Sequence, residues 1–202
     1  MVDKLLTKIA NTDFQKVFNK LGYAYFTKGY YNLNIIGIRR SGNKVTNLFD
    51  DYLVVIYNTP KNGTIRVIYN ITTDPGVTSM TKPINYNGAA ILVPSQYRGT
   101  WKIGKHKGKY EALTQYKPVK VYRDNNKNKI YDFNPVTIQN GIFGINIHKA
   151  GENSTYVNDW SAGCQVFKNS NDFRSFMRLC KEQVTRGLGE TFTYTLLKEE
   201  QL

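Results

Sequence analysis

The hydrophobic positions of this chain repeat with two different periods. Phe14, Val17, Phe18 and Leu21 recur at helical spacing in "DFQKVFNKL" (13–21), behind a Thr12/Asp13 cap signal and ahead of Gly22 as a stop. The period then shortens. "LNIIGIR" (33–39), "DYLVVIYN" (51–58), "TIRVIYNITT" (64–73), "AAILVP" (89–94) and "GTWKIGKH" (99–106) are β-branched or aromatic runs. Turn signals such as "PKNG", "DPG" and "YNG" separate them. "PVKVYRD" (118–124) and "FGINIH" (143–148) extend the series, and "TFTYTLLKE" (191–199) closes it. Before that last strand, "NDFRSFMRLCKEQVT" (171–185) returns to helical spacing. Phe173, Phe176, Met177 and Cys180 share one face there, which makes Cys180 a core residue. The patterns predict a mainly β domain over residues 45–202, a β-sandwich or barrel with one packing helix. A small helical N-terminal segment over 1–44 precedes it. No internal repeat or low-complexity linker divides the chain.

Composition narrows the classes. A hydrophobic fraction of 41% and an aromatic fraction of 13% are those of a folded chain and exclude disorder. No run approaches the ~18–20 apolar residues of a membrane span. Asp3, Lys4 and Lys8 interrupt "MVDKLLTKIANTDFQKVF", so no classical signal peptide is expected. The net charge of +13 points to a polyanionic partner: nucleic acid, an acidic membrane surface or an anionic bacterial wall. The densest cluster is "KIGKHKGK" (102–109). With no helix-turn-helix pattern or zinc module visible, nucleic acid is the least favoured of these. Two cysteines are too few for a disulfide framework, and no Cys/His cluster suggests zinc.

One stretch carries candidate chemistry. "GINIHKAGENSTYVNDWSAGCQVF" (144–167) ends a strand at His148 and reaches Cys164 sixteen positions later, through Ser161, Ala162 and Gly163. A cysteine attacks as its thiolate, and a free thiol is mostly protonated near neutral pH. A histidine within about 3–4 Å would take that proton and hold the thiol below its usual range. Gly163 permits a tight turn that could aim the Gly163 and Cys164 amides at an oxyanion. On residue types alone, a buried cysteine beside a core histidine is the simpler reading.

The ordered context adds to this. "DDYLVVIYN…GTIRVIYNITTDPG", "YRGTWKIGKHKG", the His148…Ser161-Ala162-Gly163-Cys164 block, "NSNDFRSFMRLC" and "GETFTYTL" together resemble the L,D-transpeptidase catalytic domain of the YkuD type. The resemblance covers residues 50–198. Two departures stand out: Ala162 where the family carries His or another polar residue, and Gln165-Val166 where it carries an aliphatic residue and then Arg. The missing arginine bears on substrate recognition, for which Lys149, Lys168 and Arg174 are candidate substitutes.

The resemblance implies cysteine-dependent acyl transfer or hydrolysis on peptidoglycan stem peptides, with no cofactor required. Cys164 would be the nucleophile and His148 its base. The Gly163 and Cys164 amides would hold the oxyanion, and Ser161 would support the histidine, with Asp159 a second candidate for that support. Trp160 reads either as a stacking surface or as packing. The implied partners are stem peptides and the anionic wall, together with other virion proteins if the chain is phage-encoded. That origin fits the missing export signal: the wall would be reached through the virion or a phage lysis route. The alternative is a processed extracytoplasmic protein. A different class also stays open, a virion structural protein that keeps the fold while catalysis is secondary or lost.

A second motif is "DNNKNKIYD" (124–132). Asp124, Asn126, Asn128 and Asp132 fall at positions one, three, five and nine of a calcium-loop pattern, with the Ile130 carbonyl at seven. Lys129 replaces the glycine at six, and Pro135 the acid at twelve. The pattern reads as a calcium site or as a plain Asn-rich hairpin turn.

Overall fold

A computed structural model describes residues 3–152 and 154–202; Met1 and Val2 of the expected N-terminal segment, and Asn153, lie outside them. Two short helices open the chain. The Asp3 side chain caps α1 (Lys4–Asn11) by accepting from Leu5 N, and Asp13 caps α2 (Phe14–Leu21) by accepting from Lys16 N. Then come β1 (Asn34–Arg39), β2 (Asp51–Thr59), β3 (Gly63–Thr72) and the short α3 (Val77–Thr81). β4 (Ala89–Leu92), β5 (Gln96–His106), β6 (Tyr110–Gln115), β7 (Val119–Asp124) and β8 (Gln139–Gly141) follow. β9 (Ile147–Lys149), β10 (Gln165–Phe167), α4 (Ser170–Thr185) and β11 (Thr191–Lys198) complete the order.

With 37% strand against 22% helix, the chain is mainly β. Eight strands close a barrel in the order β1-β11-β5-β6-β9-β10-β3-β2, while β4, β7 and β8 form a separate three-stranded sheet. Of the two expected architectures, the barrel is the one found. β1 pairs parallel with β11 and antiparallel with β2. The expected division after residue 44 therefore falls between two neighbouring barrel strands, and the segment before it supplies a strand as well as helices.

The apolar runs have a packing reason. Ile35, Leu53 and Val55 point into the main core with Trp101, Ile147, Phe167 and Tyr194. Their neighbours Ile36, Ile38, Val54 and Ile56 face outward and are covered by Leu5 and Ile9 of α1 and by Phe14 and Phe18 of α2. β1 and β2 are thus buried on both faces, which erases the apolar/polar alternation of a half-exposed strand. From α4, Phe173, Phe176, Met177 and Cys180 enter the barrel core. Cys164 and Cys180 are both free thiols. No described helix is long and apolar enough to cross a membrane.

One strand expectation shortens. Residues 143–146 are irregular and only Ile147–Lys149 pairs as β9. Gly144 sits at φ +74°, a left-handed conformation that interrupts extended backbone.

Candidate active site

Parallel pairing of β9 with β10 brings the two halves of the motif together. Val166 lies opposite His148 and Gln165 opposite Ile147. Ile147, Gln165 and Phe167 are buried on the barrel side, so alternation sends His148, Val166 and Cys164 to the other face. Cys164 packs there against the small cluster of Phe49, Ala150, Val157 and Val166.

The turn before Cys164 is built for its sequence. Gly163 has φ +124°, and a Cβ on it would overlap the Ala90 carbonyl oxygen. Only glycine fits that position. Ser161 is fully buried beneath the turn. Its Oγ accepts from Gly163 N at 3.2 Å and donates to Cys164 O at 2.9 Å. Gln165 anchors the turn from the barrel interior: Nε2 donates to Gly163 O (3.3 Å) and Thr73 O (3.4 Å), and Oε1 accepts from Tyr194 OH at 2.7 Å. The residue that departs from the family's aliphatic type therefore serves a buried polar network. That network continues through Thr73, whose amide and hydroxyl donate to Asp51 Oδ2.

These contacts change two expected roles. The Gly163 N–H is taken by Ser161, which leaves the Cys164 N–H as the turn's remaining donor for an oxyanion. Ser161 supports the Gly163–Cys164 turn rather than the histidine. Asp159 is exposed, and Trp160 is 41% exposed beside Gly151, with no tie to His148.

His148 is held from its own strand end and from the β5–β6 hairpin. Its Nδ1 donates to Lys149 O at 2.9 Å, and Tyr110 OH, 3.3 Å from that nitrogen, donates to the same carbonyl at 3.1 Å. This fixes the tautomer with the proton on Nδ1. Nε2 is left as a lone-pair nitrogen, buried and without a hydrogen-bond partner. The His106 ring stacks on the His148 ring, centroids 3.9 Å apart and planes 17° apart. His106 Nδ1 meets Asn146 Nδ2 at 3.2 Å. Burial, then the neighbouring His106, depresses the His148 pKa to about 3, and burial also lowers that of His106.

The expected sulfur–imidazole contact is not made. Among the described residues no hydrogen bond joins Cys164 to His148; Cys164 Sγ instead accepts from Asn146 N at 3.4 Å and donates to Gly144 O at 3.4 Å. Desolvation pushes the thiol up to about 11, against smaller opposing effects of the Asn146 N–H and the Lys107 ammonium. The resting pair is a neutral thiol and a neutral imidazole.

Nothing in the local sequence marks His106, Tyr110 or Asn146 as a site residue. His106 ends β5 next to a Lys-rich turn that reads as surface charge, and only the β5–β6–β9 register carries it to His148.

Beside His148 lies a cleft of about 390 Å³ lined by Tyr110, Glu111, Lys149, Phe173, Arg174, Met177, Arg178 and Lys181. Glu111 and Lys181 pair with each other at 2.6 Å, which leaves Lys149, Arg174 and Arg178 as net positive charge around the apolar Phe173 and Met177. Cys164 does not line this cleft; the cleft meets the pair through Tyr110 and Lys149. Of the candidate substitutes for the family's arginine, Lys149 and Arg174 line it, and Lys168 does not.

Asp124, Asn126, Asn128 and Asp132 lie at the far end of β7, outside this site. Among the described residues, no three His, Cys, Asp or Glu side chains converge as a metal cluster. Compared with family models, curated proteins and solved structures, the chain gives no match.

Proposed function

We propose that this chain is a cysteine acyltransferase or hydrolase of the L,D-transpeptidase type that acts on peptidoglycan stem peptides. The observation that carries the reading is the buried, unpartnered Nε2 of a neutral imidazole, on the same strand face as a thiol held at a glycine turn. That nitrogen has a free lone pair, but burial depresses its pKa, so it takes the thiol proton only as sulfur bonds to the substrate carbon and not in the resting protein.

The neutral pair sets the order of events. Cys164 turns from Gly144 O toward His148, and its proton passes to Nε2 as sulfur adds to the substrate carbonyl carbon. The Cys164 N–H supports the resulting oxyanion. Collapse breaks the carbon–nitrogen bond, and the leaving amine takes the proton from Nε2, leaving a thioester on Cys164. An acceptor amine or water then gives its proton to Nε2 and attacks the thioester. The thiolate leaves and recovers that proton. No cofactor enters the sequence.

The cationic cleft supports a substrate that carries carboxylates, and the +13 charge supports an anionic wall as its setting. In this reading the protein works at the bacterial wall, reached through a virion or a phage lysis route. The test is turnover of defined stem peptides, followed by mass spectrometry for amine exchange or D-residue release. Wild type should turn over, Cys164→Ala should not, and activity equal in both would end the proposal.

A virion structural role is the second reading. It is favoured by the thiol pushed up to about 11 and bonded to Gly144 O rather than to His148. It expects no turnover by wild type and assembly with other virion proteins.

A further inference from the structure

The loop after β7 holds oxygen donors that the Cys164 chemistry does not use. Asp124 is only 2% exposed. One carboxylate oxygen, Oδ2, accepts from Asp132 N at 2.9 Å; the other, Oδ1, is buried with no hydrogen-bond partner. A buried carboxylate oxygen without a donor is costly, and among the described residues neither Asp124 nor Asp132 is in an ion pair. Asn126 Nδ2 donates to Asp132 Oδ2, a contact that an ion would displace, while the Asn126 and Asn128 side-chain oxygens accept from Asn128 N (3.1 Å) and Ile130 N (2.8 Å) and keep a second lone pair each. The loop borders an open cleft of about 800 Å³ that Asp124, Asn126 and Asp132 line together with Arg123, while Asn128 and Ile130 lie on the loop outside it.

The donors are of one chemical kind. Two carboxylates, two amide oxygens and a backbone carbonyl make an all-oxygen set with no nitrogen or sulfur ligand. Such a set suits a hard cation that tolerates irregular coordination, which is calcium rather than zinc or copper.

We infer that residues 124–132 form a calcium site, with Asp124 and Asp132 as carboxylate ligands and Asn126, Asn128 and the Ile130 carbonyl completing it. The loop lacks an acid at position twelve, where Pro135 stands, and carries Lys127 and Lys129, so little net negative charge attracts the ion and the affinity is low. Low charge count places it in the range of extracellular modules, Kd ~10⁻⁴–10⁻³ M. The loop is tied to the rest of the protein by Val45 N→Lys129 O (3.0 Å) and Tyr131 N→Asn43 O (2.6 Å). Tyr131 OH also donates to Pro75 O at 2.9 Å, and the next residue, Gly76, donates to Ser161 O at 3.0 Å. An ion in the loop therefore braces the strap behind the Cys164 turn. The inference stands whether or not Cys164 is a nucleophile.

The test is thermal melting of the full chain in about 10 mM calcium chloride and in chelator, with sodium chloride matched for ionic strength. Calcium should raise the wild-type midpoint by roughly 3–10 °C, from mass action on a site of this affinity. The rise should vanish in Asp132→Asn, whose half-buried position tolerates the change, and in Asp124→Asn. An unchanged wild-type midpoint overturns the inference. So does an equal rise in both variants.

Discussion

The imidazole rings of His106 and His148 stack with their centroids 3.9 Å apart, so the two histidines of the chain share one buried position. Two cations cannot occupy it together. Burial and His106 hold His148 neutral down to about pH 3, whereas in the unfolded chain it takes up a proton near pH 6.5. Between those values the unfolded state binds the extra proton, so this group's contribution to stability is full above about pH 6.5 and falls as pH drops toward 3. Asp51 works in the opposite direction. Burial first, then Asp74, raises its pKa above the unfolded 3.8, so its contribution is full at low pH and is lost as pH rises from there through the raised value. Comparing wild type with His148→Gln isolates the histidine. The stability advantage of wild type should shrink on acidification, at about 1.4 kcal/mol per pH unit at most. Denaturant melts from pH 4 to 7 check this, and a pH-independent difference would contradict it.

Removing the stacking partner should be visible at His148 itself. His106→Phe keeps a ring in place but removes the neighbouring basic group. The His148 pKa should rise, read from its imidazole resonances by NMR, while the fold is kept. No movement would show that burial alone depresses it.

Cys164 should be a slow thiol in the resting protein. With its pKa pushed up to about 11, iodoacetamide should modify it on the order of a hundredfold more slowly at pH 8 than a model thiol. In the resting structure Cys164 is hydrogen-bonded to Gly144 O rather than to His148, so the activation expected from the sequence has no contact behind it there. Cys180, fully buried in the barrel core, should react only on unfolding. Peptide mapping after timed alkylation separates the two sites.

The fold was legible where packing and period agree. The runs at 33–39, 51–58 and 64–73 are recognisable because β1 and β2 are apolar on both faces and β3 is β-branched. β6, "YEALTQ", was not read as a strand: its Glu, Ala and Leu carry no β-branched signal, and pairing with β5 decides its state. The helix at Lys4–Asn11 escaped separate notice because its apolar stripe is two buried residues long, Leu5 and Ile9, and gains its meaning only against the outer barrel face. His148, Ser161, Gly163 and Cys164 lie in one stretch, so the candidate site is legible there, whereas only strand register brings His106 and Tyr110 to β9.

Ser161 and Gly163 should be stability residues before they are anything else. Gly163→Ala places a side chain against the Ala90 carbonyl in a left-handed backbone, which should cost about 2 kcal/mol or more. Ser161→Ala removes two buried hydrogen bonds, a loss of about 1–3 kcal/mol. Both are read from denaturant midpoints, and full stability in either variant would contradict the account of the turn.

Charge reversal in the cleft should act on binding rather than on chemistry. Arg174→Glu with Arg178→Glu should raise KM for carboxylate-bearing stem peptides and leave kcat within a few-fold, because both residues line the cleft and neither touches the His148–Cys164 pair. Association of wild type with purified walls should also weaken steeply as salt rises. A fall in kcat with KM unchanged would place the cleft in the chemical step.

Whether Cys164 carries an acyl group during turnover is read from the intact mass of the protein. Brief incubation with a stem peptide followed by an acid quench should add the mass of the acyl fragment to wild type. Fragmentation should place that mass on Cys164, and Cys164→Ala should show none. His148→Ala should form the adduct far more slowly, since the proton then has no acceptor. Turnover of the peptide with no adduct on Cys164, or an adduct on another residue, would contradict the account.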